Sequence, residues 1–147
     1  MNITINTIGF TRKNAAEFFG LLTAAKVSRV IDIRLNNRSQ LAGFTKRDDL
    51  SFFLKSIANI EYLHEPLLAP SEAILSAFKE GRIDWSGYEQ QFIALMHQRG
   101  VADQLGSRLF DGACLLCSED SPAQCHRRLV AEHFQQSWKS VEIVHLR

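Results

Sequence analysis

The sequence predicts an α/β domain with a mostly parallel sheet of about five strands and helices on both faces. Short apolar runs rich in β-branched residues alternate with segments of helical spacing, which is the order of elements in parallel sheets. The 147 residues contain no repeat, low-complexity tract or Pro/Gly-rich linker, so we expect one domain over residues 1–147. These observations are typical of a Rossmann-like fold.

The predicted strands are short and mostly apolar. In "NITINTI", Ile3 and Ile5 alternate with polar residues, and "RVIDIR" is a β-branched run of the kind buried in parallel sheets. The predicted strands cover residues 2–8, 29–34, 60–65, 113–118 and 141–146.

Helical spacing and cap residues define the segments between the strands. Asn14 precedes Glu17 by the spacing of a capping box, and Gly100 is expected to end a helix in the left-handed conformation. Tyr88 and Phe92 belong to an apolar stripe that we assign to the core rather than to a cofactor site. We expect a helix from about Asn14, a loop over residues 35–47, and helices over 48–58, 71–81, 86–99 and 121–138.

The composition excludes several classes of protein. A formal net charge of +1, with 46% hydrophobic and 22% charged residues, is not that of a general polyanion-binding or disordered protein. No apolar run reaches the roughly 18 residues of a membrane span, and the first residues lack the pattern of a signal peptide. Three cysteines do not make a secreted disulfide framework. We therefore expect a cytoplasmic, reduced protein without a membrane partner.

Polar residues collect where the predicted strands end, which is the ligand-binding edge of parallel α/β folds. Asp32 and Arg34 share a face, either as a salt bridge that closes the sheet or as part of a site. His64 is either a histidine at the edge of the core or a member of that site. The residues expected at this edge are Thr7, Gly9, Asp32, Arg34, His64, Cys117 and Glu119.

The loop after the second strand is locally basic. "RLNNRSQLAGFTKR" contains Arg34 and Arg38, with Ser39 and neighbouring amides, before its first acidic residue. Such a loop suits an anion such as a phosphate or a nucleic-acid backbone. The alternative is a solvated loop whose residues serve turn geometry.

All three cysteines lie in "CLLCSEDSPAQCHRR". Cys114 and Cys117 form a C-x-x-C, but on a strand this spacing sends the side chains to opposite faces, so we assign Cys114 to the core. Cys117 lies at the strand exit. A redox pair of the thioredoxin type would instead begin at a helix N-terminus.

The helix that follows is expected to begin with Ser121 as its N-cap. Cys125 would then lie near the first turn, where the helix dipole and Arg127 favour a thiolate. His126 has the same helical spacing as the apolar residues of this helix, so we expect its side chain to point towards the sheet. Arg127 projects to another face and could reach a ligand over the helix end.

The sequence resembles the uncharacterised family called domain of unknown function 488, or DUF488. The resemblance is carried by "TIGFT", "VIDIR" with the following Arg/Ser loop, "FTKRDDL", "IEYLHEPLLAP" and "LLCSEDSPAQCHRRLVAEH". It implies a single α/β domain found mainly in prokaryotes, and it implies no function. The family pattern falls on Thr7, Gly9, Asp32, Arg34, Ser39, Phe44, His64, Cys117, Glu119, Pro122, Cys125, His126 and Arg127.

The hypothesis that we favour from the sequence is a site for an anionic small molecule or a nucleic acid. Its anion would be held by Arg34, Arg38 and Arg127. The residues expected to orient the ligand or act as acid and base are Asp32, His64, Glu119 and His126.

Three alternatives stay open. In a thiol-based enzyme, Cys125 would be the nucleophile and Cys117 the resolving thiol, with His64 a better partner than His126 because adjacent helical residues do not face each other. A zinc or iron site would use Cys117, Cys125 and His126, with His64 or Glu119. The last alternative is a module that binds a partner protein without catalysis. The sequence assigns no cofactor, no metal ligand in the favoured hypothesis, and no oligomeric state.

Overall fold

A computed structural model describes residues 2–37, 43–119 and 121–147. Its centre is one five-stranded sheet in the order β3-β2-β4-β1-β5, and every neighbouring pair of strands is parallel. The predicted α/β class is therefore confirmed. The strands are β1 (Ile3–Gly9), β2 (Arg29–Asp32), β3 (Glu61–His64), β4 (Ala113–Cys117) and β5 (Val141–Leu146).

The helices connect these strands across both faces. Asn14 and Glu17 form the predicted capping box at the start of the first helix, and Gly100 ends the fourth in the left-handed conformation. Ser71 caps the third helix by accepting a hydrogen bond from the Ile74 backbone. In chain order the helices are α1 (Ala15–Ala24), α2 (Arg47–Ala58), α3 (Glu72–Lys79), α4 (Trp85–Arg99), α5 (Val101–Gln104), α6 (Ser107–Phe110) and α7 (His126–Ser137).

Two apolar cores lie on opposite faces of the sheet. On the face of α1 and α2, Phe18 and Leu54 pack against Val30 and Cys114. The core on the face of α4 and α7 is formed by Ile31, Leu115, Phe92, Phe110 and Phe134. Cys114 is fully buried, as predicted. The alternation of side chains along β4 thus places Cys114 and Cys117 on opposite faces.

The sheet topology opens a crevice at the carboxyl end of β4. The connections after β1 and β2 lead to α1 and α2 on one face, whereas the connection after β4 leads to α7 on the other. Since β4 lies between β1 and β2, adjacent chain segments separate here in opposite directions. Such a switch point is where ligands bind in open α/β sheets.

The beginning of α7 differs from the prediction. The helix begins at His126, with Cys125 as an extended N-cap at φ −137° and ψ 139°, and not at Ser121. Ser121 accepts a hydrogen bond from the Ala123 backbone within a turn. The preceding loop is bonded to the end of β1, because Thr11 donates from its backbone N and its Oγ1 to the Ser118 carbonyl at 3.0 and 2.5 Å. A local cap pattern carries no information about such long-range bonds.

Smaller differences concern element ends. Strand β2 ends at Asp32, two residues before the predicted end, and the predicted loop contains a short 3-10 turn over Gly43–Thr45. Helices α5 and α6 were not predicted because each spans only four residues. Among the described residues, no helix combines the length and apolar character needed to cross a bilayer.

Candidate functional site

A cavity of about 630 Å³ opens at the carboxyl end of β4. Its lining comes in part from β4 and α7 and in part from α3 and α4. The predicted site residues that line it are Arg34, Cys117, Glu119, Cys125 and His126, and the other lining residues are Leu35, Asn36, Pro70, Leu75, Phe78, Lys79, Trp85, Tyr88, Ser118 and Gln124.

Three side chains in the cavity wall, Cys117, Cys125 and His126, form what we call the thiol cluster. The Sγ of Cys117 lies 3.3 Å from Nδ1 of His126. The other ring nitrogen, Nε2, lies 2.7 Å from the carbonyl oxygen of Ile33. A carbonyl only accepts, so Nε2 donates in this bond, and Nδ1 is the ring nitrogen that faces the thiol.

Cys125 reaches the same point from the helix N-cap. The Sγ atoms of Cys117 and Cys125 and a ring nitrogen of His126 all lie within 4.8 Å of one another. We expected adjacent Cys125 and His126 to point apart as on a helix. That expectation was wrong because Cys125 is extended and precedes the first helical residue.

The two thiols of the cluster differ in their affinity for a proton. Burial alone would raise the pKa of Cys117, but the hydrogen bond with Cys125, the charge of Arg127 and the two following backbone N–H groups stabilise the thiolate and lower the pKa. Burial and the neighbouring Cys117 raise the pKa of Cys125 well above its usual value. The sequence favoured a thiolate at Cys125, whereas the surroundings favour it at Cys117.

Arg127 supports this arrangement from inside the protein. It is fully buried, so it does not reach over the helix end as we considered from the sequence. Its Nε donates to Thr7 Oγ1 at 3.2 Å, and its Nη1 donates to the Glu119 carbonyl. A side chain at Gly9 would collide with that same carbonyl. Thr7, Gly9 and Arg127 therefore hold the loop after β4 against β1, and they do not line the cavity.

A second polar cluster, Asp32, Arg34, Asn37 and Tyr62, is called the Asp32 network here. Asp32 accepts from Arg34 Nε and Nη2 at 2.9 and 2.8 Å, from the Tyr62 hydroxyl at 2.6 Å and from Asn37 Nδ2 at 3.4 Å. Burial opposes the carboxylate, but these bonds and the charge of Arg34 outweigh it and lower the pKa of Asp32. Burial and the Asp32 charge raise the pKa of Tyr62 above its usual value.

The Asp32 carboxylate and the Arg34 guanidinium lie on the face of the sheet away from the thiol cluster, although Arg34 also contributes to the cavity lining. Ile31 and Ile33 belong to the core of the α4 and α7 face, so Asp32 and Arg34 point to the other face, and the Arg34 guanidinium lies 5.5 Å from the centre of the Phe10 ring. From the sequence, Asp32 and Arg34 were either a salt bridge that closes the sheet or part of a site. In the structure they form a buried salt bridge. The single site expected at the strand ends is thus divided between two faces.

The remaining predicted residues occupy different positions. His64 Nε2 lies 3.0 Å from the Arg34 carbonyl, and His64 does not line the cavity, so it is not the partner expected for Cys125. Glu119 is exposed at the cavity rim. Arg38 and Ser39 lie outside the described residues.

The sequence interpretation missed the aromatic wall of the cavity. Trp85 and Tyr88 line it, with their rings stacked at 4.8 Å and 16°. Tyr88 is buried as expected for a core stripe, yet burial and the nearby Cys117 and Cys125 raise its pKa, because its hydroxyl is close to the thiols. The aromatic spacing was visible in the sequence, but the packing of α4 against α7 was not.

The thiol cluster has the donor set of a metal centre. Two thiolates and one imidazole suit zinc or iron, and a metal-ligating histidine usually donates its other N–H to a carbonyl or carboxylate, as His126 does to Ile33. The group of Cys117, Cys125 and His126 is the candidate among the described residues.

The fold and the site define an α/β protein with a cysteine-histidine cluster at the switch point of a parallel sheet. The model of the family described as domain of unknown function DUF488 matches residues 14–134. The chain therefore belongs to the DUF488 family. Neither a curated protein nor a solved structure was found to match the sequence or the fold.

Proposed function

We propose that this protein carries out thiol–disulfide exchange at the thiol cluster. Cys117 is the attacking thiolate, His126 moves the proton, and Cys125 is the resolving thiol. The observation that carries the proposal is the 3.3 Å contact between Cys117 Sγ and His126 Nδ1, with a second thiol within 4.8 Å, in the wall of a cavity.

The first step uses the fixed orientation of His126. Nδ1 accepts the proton of the Cys117 thiol, while Nε2 stays bonded to the Ile33 carbonyl. The Cys117 thiolate attacks one sulfur of a substrate disulfide; a protein–substrate disulfide forms as the substrate S–S bond breaks. The leaving thiolate takes the proton from Nδ1.

The second step uses Cys125. Its thiol transfers a proton to the freed Nδ1 and attacks Cys117 Sγ, which yields a Cys117–Cys125 disulfide and releases the second substrate thiolate. That thiolate takes the proton. Two electrons have then passed from the protein dithiol to the substrate disulfide, and a small thiol reductant restores the dithiol. A second thiol so close to the first favours exchange over a one-cysteine acyl transfer.

The anionic or nucleic-acid ligand that the sequence favoured has weaker support. Arg127 is buried and bonded to Thr7 and the Glu119 carbonyl, and Arg34 is paired with Asp32. Two of the three arginines expected to hold the anion are therefore engaged within the protein.

The test is alkylation of native protein with iodoacetamide over a range of pH, followed by mass spectrometry of the peptides. Cys117 should react faster than free cysteine below neutral pH, Cys125 more slowly, and Cys114 only after unfolding. If Cys117 reacts no faster than free cysteine, the proposal fails. Hydroxyethyl disulfide should then produce a Cys117–Cys125 disulfide, and the Cys125→Ser variant should stop at the mixed disulfide.

A metal centre is the second candidate, favoured by the three converging donor atoms and the His126–Ile33 bond. Elemental analysis of the purified protein distinguishes it from the first. A stoichiometric metal, with thiols that a chelator makes reactive, would replace thiol exchange by metal binding. Metal-free protein with reactive thiols would reject it.

A further inference from the structure

Part of the lining of the cavity that contains the thiol cluster is aromatic. Trp85 and Tyr88 are one turn apart on α4, and their rings stack with centroids 4.8 Å apart. Phe78 of α3 packs its ring edge against both, at 5.8 and 5.3 Å. All three line the cavity, and Trp85 is partly exposed there. The three rings therefore form one packed aromatic surface.

The aromatic surface continues to the reacting groups. The Tyr88 ring stacks on Phe92 at 6.0 Å and 15°, and Phe92 contacts the His126 ring at 5.5 Å. A ring placed at Trp85 would therefore lie on a continuous aromatic path to His126. Tyr88 lines the cavity beside Trp85 and carries a hydroxyl group, a hydrogen-bond donor that suits an acceptor on a bound molecule.

We propose that the site takes disulfides of planar aromatic thiols, with the ring packed on Trp85 and the sulfur directed to Cys117. The inference rests on the proposed thiol exchange and names its substrate class. Aromatic rings favour other rings beyond the gain from buried area alone, whereas an aliphatic disulfide gains only that area. The cavity volume of about 630 Å³ accommodates a small ring system.

The test compares the reaction rates of dithiodipyridine and hydroxyethyl disulfide, each divided by the rate with free cysteine. We expect the relative rate to be about fivefold higher for the aromatic disulfide. Trp85→Leu should remove this preference, and Trp85→Phe, which restores a ring, should retain most of it. Equal relative rates for the two disulfides, or a preference unchanged in Trp85→Leu, would overturn the inference.

Binding without reaction separates this inference from the proposed function. In the Cys117→Ser variant, unreactive methylthiopyridine should shift the indole N–H resonance of Trp85. Trp138 is the internal control because its indole donates to the Ala102 carbonyl and does not line this cavity. A Trp85 shift together with unreactive thiols in the native protein would reject thiol exchange alone. Reactive thiols without a Trp85 shift would reject the aromatic substrate alone.

Discussion

The carboxyl edge of the sheet carries two buried polar clusters, one on each face. In the Asp32 network, the carboxylate accepts hydrogen bonds from Arg34, Asn37 and Tyr62, and it does not line the cavity. In the thiol cluster, His126 has one nitrogen held by the Ile33 carbonyl and the other directed at Cys117, and the cluster forms part of the cavity wall.

The comparison of the two clusters shows how a structural ionisable residue at a strand end differs from one that can take part in a reaction. Both oxygens of Asp32 are occupied by donors of the protein itself, so little acceptor capacity is left for a ligand. Cys117 Sγ and His126 Nδ1, by contrast, lie 3.3 Å apart and both residues border the cavity. The Asp32 carboxylate, with both oxygens bonded within the protein, stabilises the fold, whereas Cys117 and His126 border open space that a ligand can enter.

The largest effect should come from Asp32→Asn. The variant leaves the Arg34 guanidinium buried without its countercharge, and we expect the free energy of unfolding to fall by about 3–5 kcal/mol. Chemical denaturation measures it, with Asp103→Asn, an exposed carboxylate, as the matched control. The Cys117 alkylation rate of the folded variant should change by less than about twofold. A large loss of that rate would mean that the two clusters act as one site.

The contribution of Asp32 to the free energy of unfolding should depend on pH. The folded-state pKa of Asp32 lies below its ordinary value of 3.8, so its stabilisation is fully present above that value and is lost as the pH falls through the folded-state pKa. The stability difference between the native protein and Asp32→Asn should therefore be constant near neutral pH and shrink in acid. Denaturation curves at several pH values measure it. A difference that grows on acidification would contradict the lowered pKa.

A smaller effect is expected for His126→Asn. The asparagine amide can accept a hydrogen bond near the position of Nδ1 but cannot take up a proton, so the reaction of Cys117 with hydroxyethyl disulfide should slow by about 10²-fold at neutral pH. His97→Asn is the control because His97 is exposed on α4 and lies outside the cavity. Equal rates in the two variants would leave His126 as a packing residue against Phe92.

The smallest effect should come from Tyr88→Phe. The ring stack with Trp85 and Phe92 is retained and only the hydroxyl is lost, so the stability should change by less than about 1 kcal/mol. If the hydroxyl bonds to the bound ring, the relative rate with dithiodipyridine should fall about fivefold, the equivalent of one hydrogen bond. An unchanged rate would restrict Tyr88 to packing.

Much of the fold followed from local pattern. The β-branched runs predicted all five strands to within a few residues, and Asn14 and Gly100 marked helix ends. The beginning of α7 was not predicted correctly. Ser121 and Pro122 are residue types that often begin a helix, but the Thr11–Ser118 hydrogen bonds hold this segment as a loop, and the helix begins at His126. Such bonds join residues about a hundred positions apart and have no local signature.

The site followed only in part. Alternation along β4 correctly separated Cys114 from Cys117, because that rule depends on the backbone alone. The aromatic part of the cavity lining could not be predicted, because the spacing of Trp85 and Tyr88 does not show that α4 packs against α7. Arg127 was assigned to the ligand site, but it is buried. The residue type alone does not distinguish an arginine that binds a ligand from one that is buried and bonded within the protein.

The sequence by itself determined the α/β class, the strand ends as the place where polar residues collect, and the core position of Cys114. These depend on periodicities that each segment carries locally. Only the tertiary structure decided that Asp32 and Cys117 face opposite sides and that Cys117, not Cys125, has the lowered pKa. A thiol pKa depends on burial, on the charge of Arg127 and on hydrogen bonds from segments distant in sequence, and these meet only when the sheet and α7 are assembled.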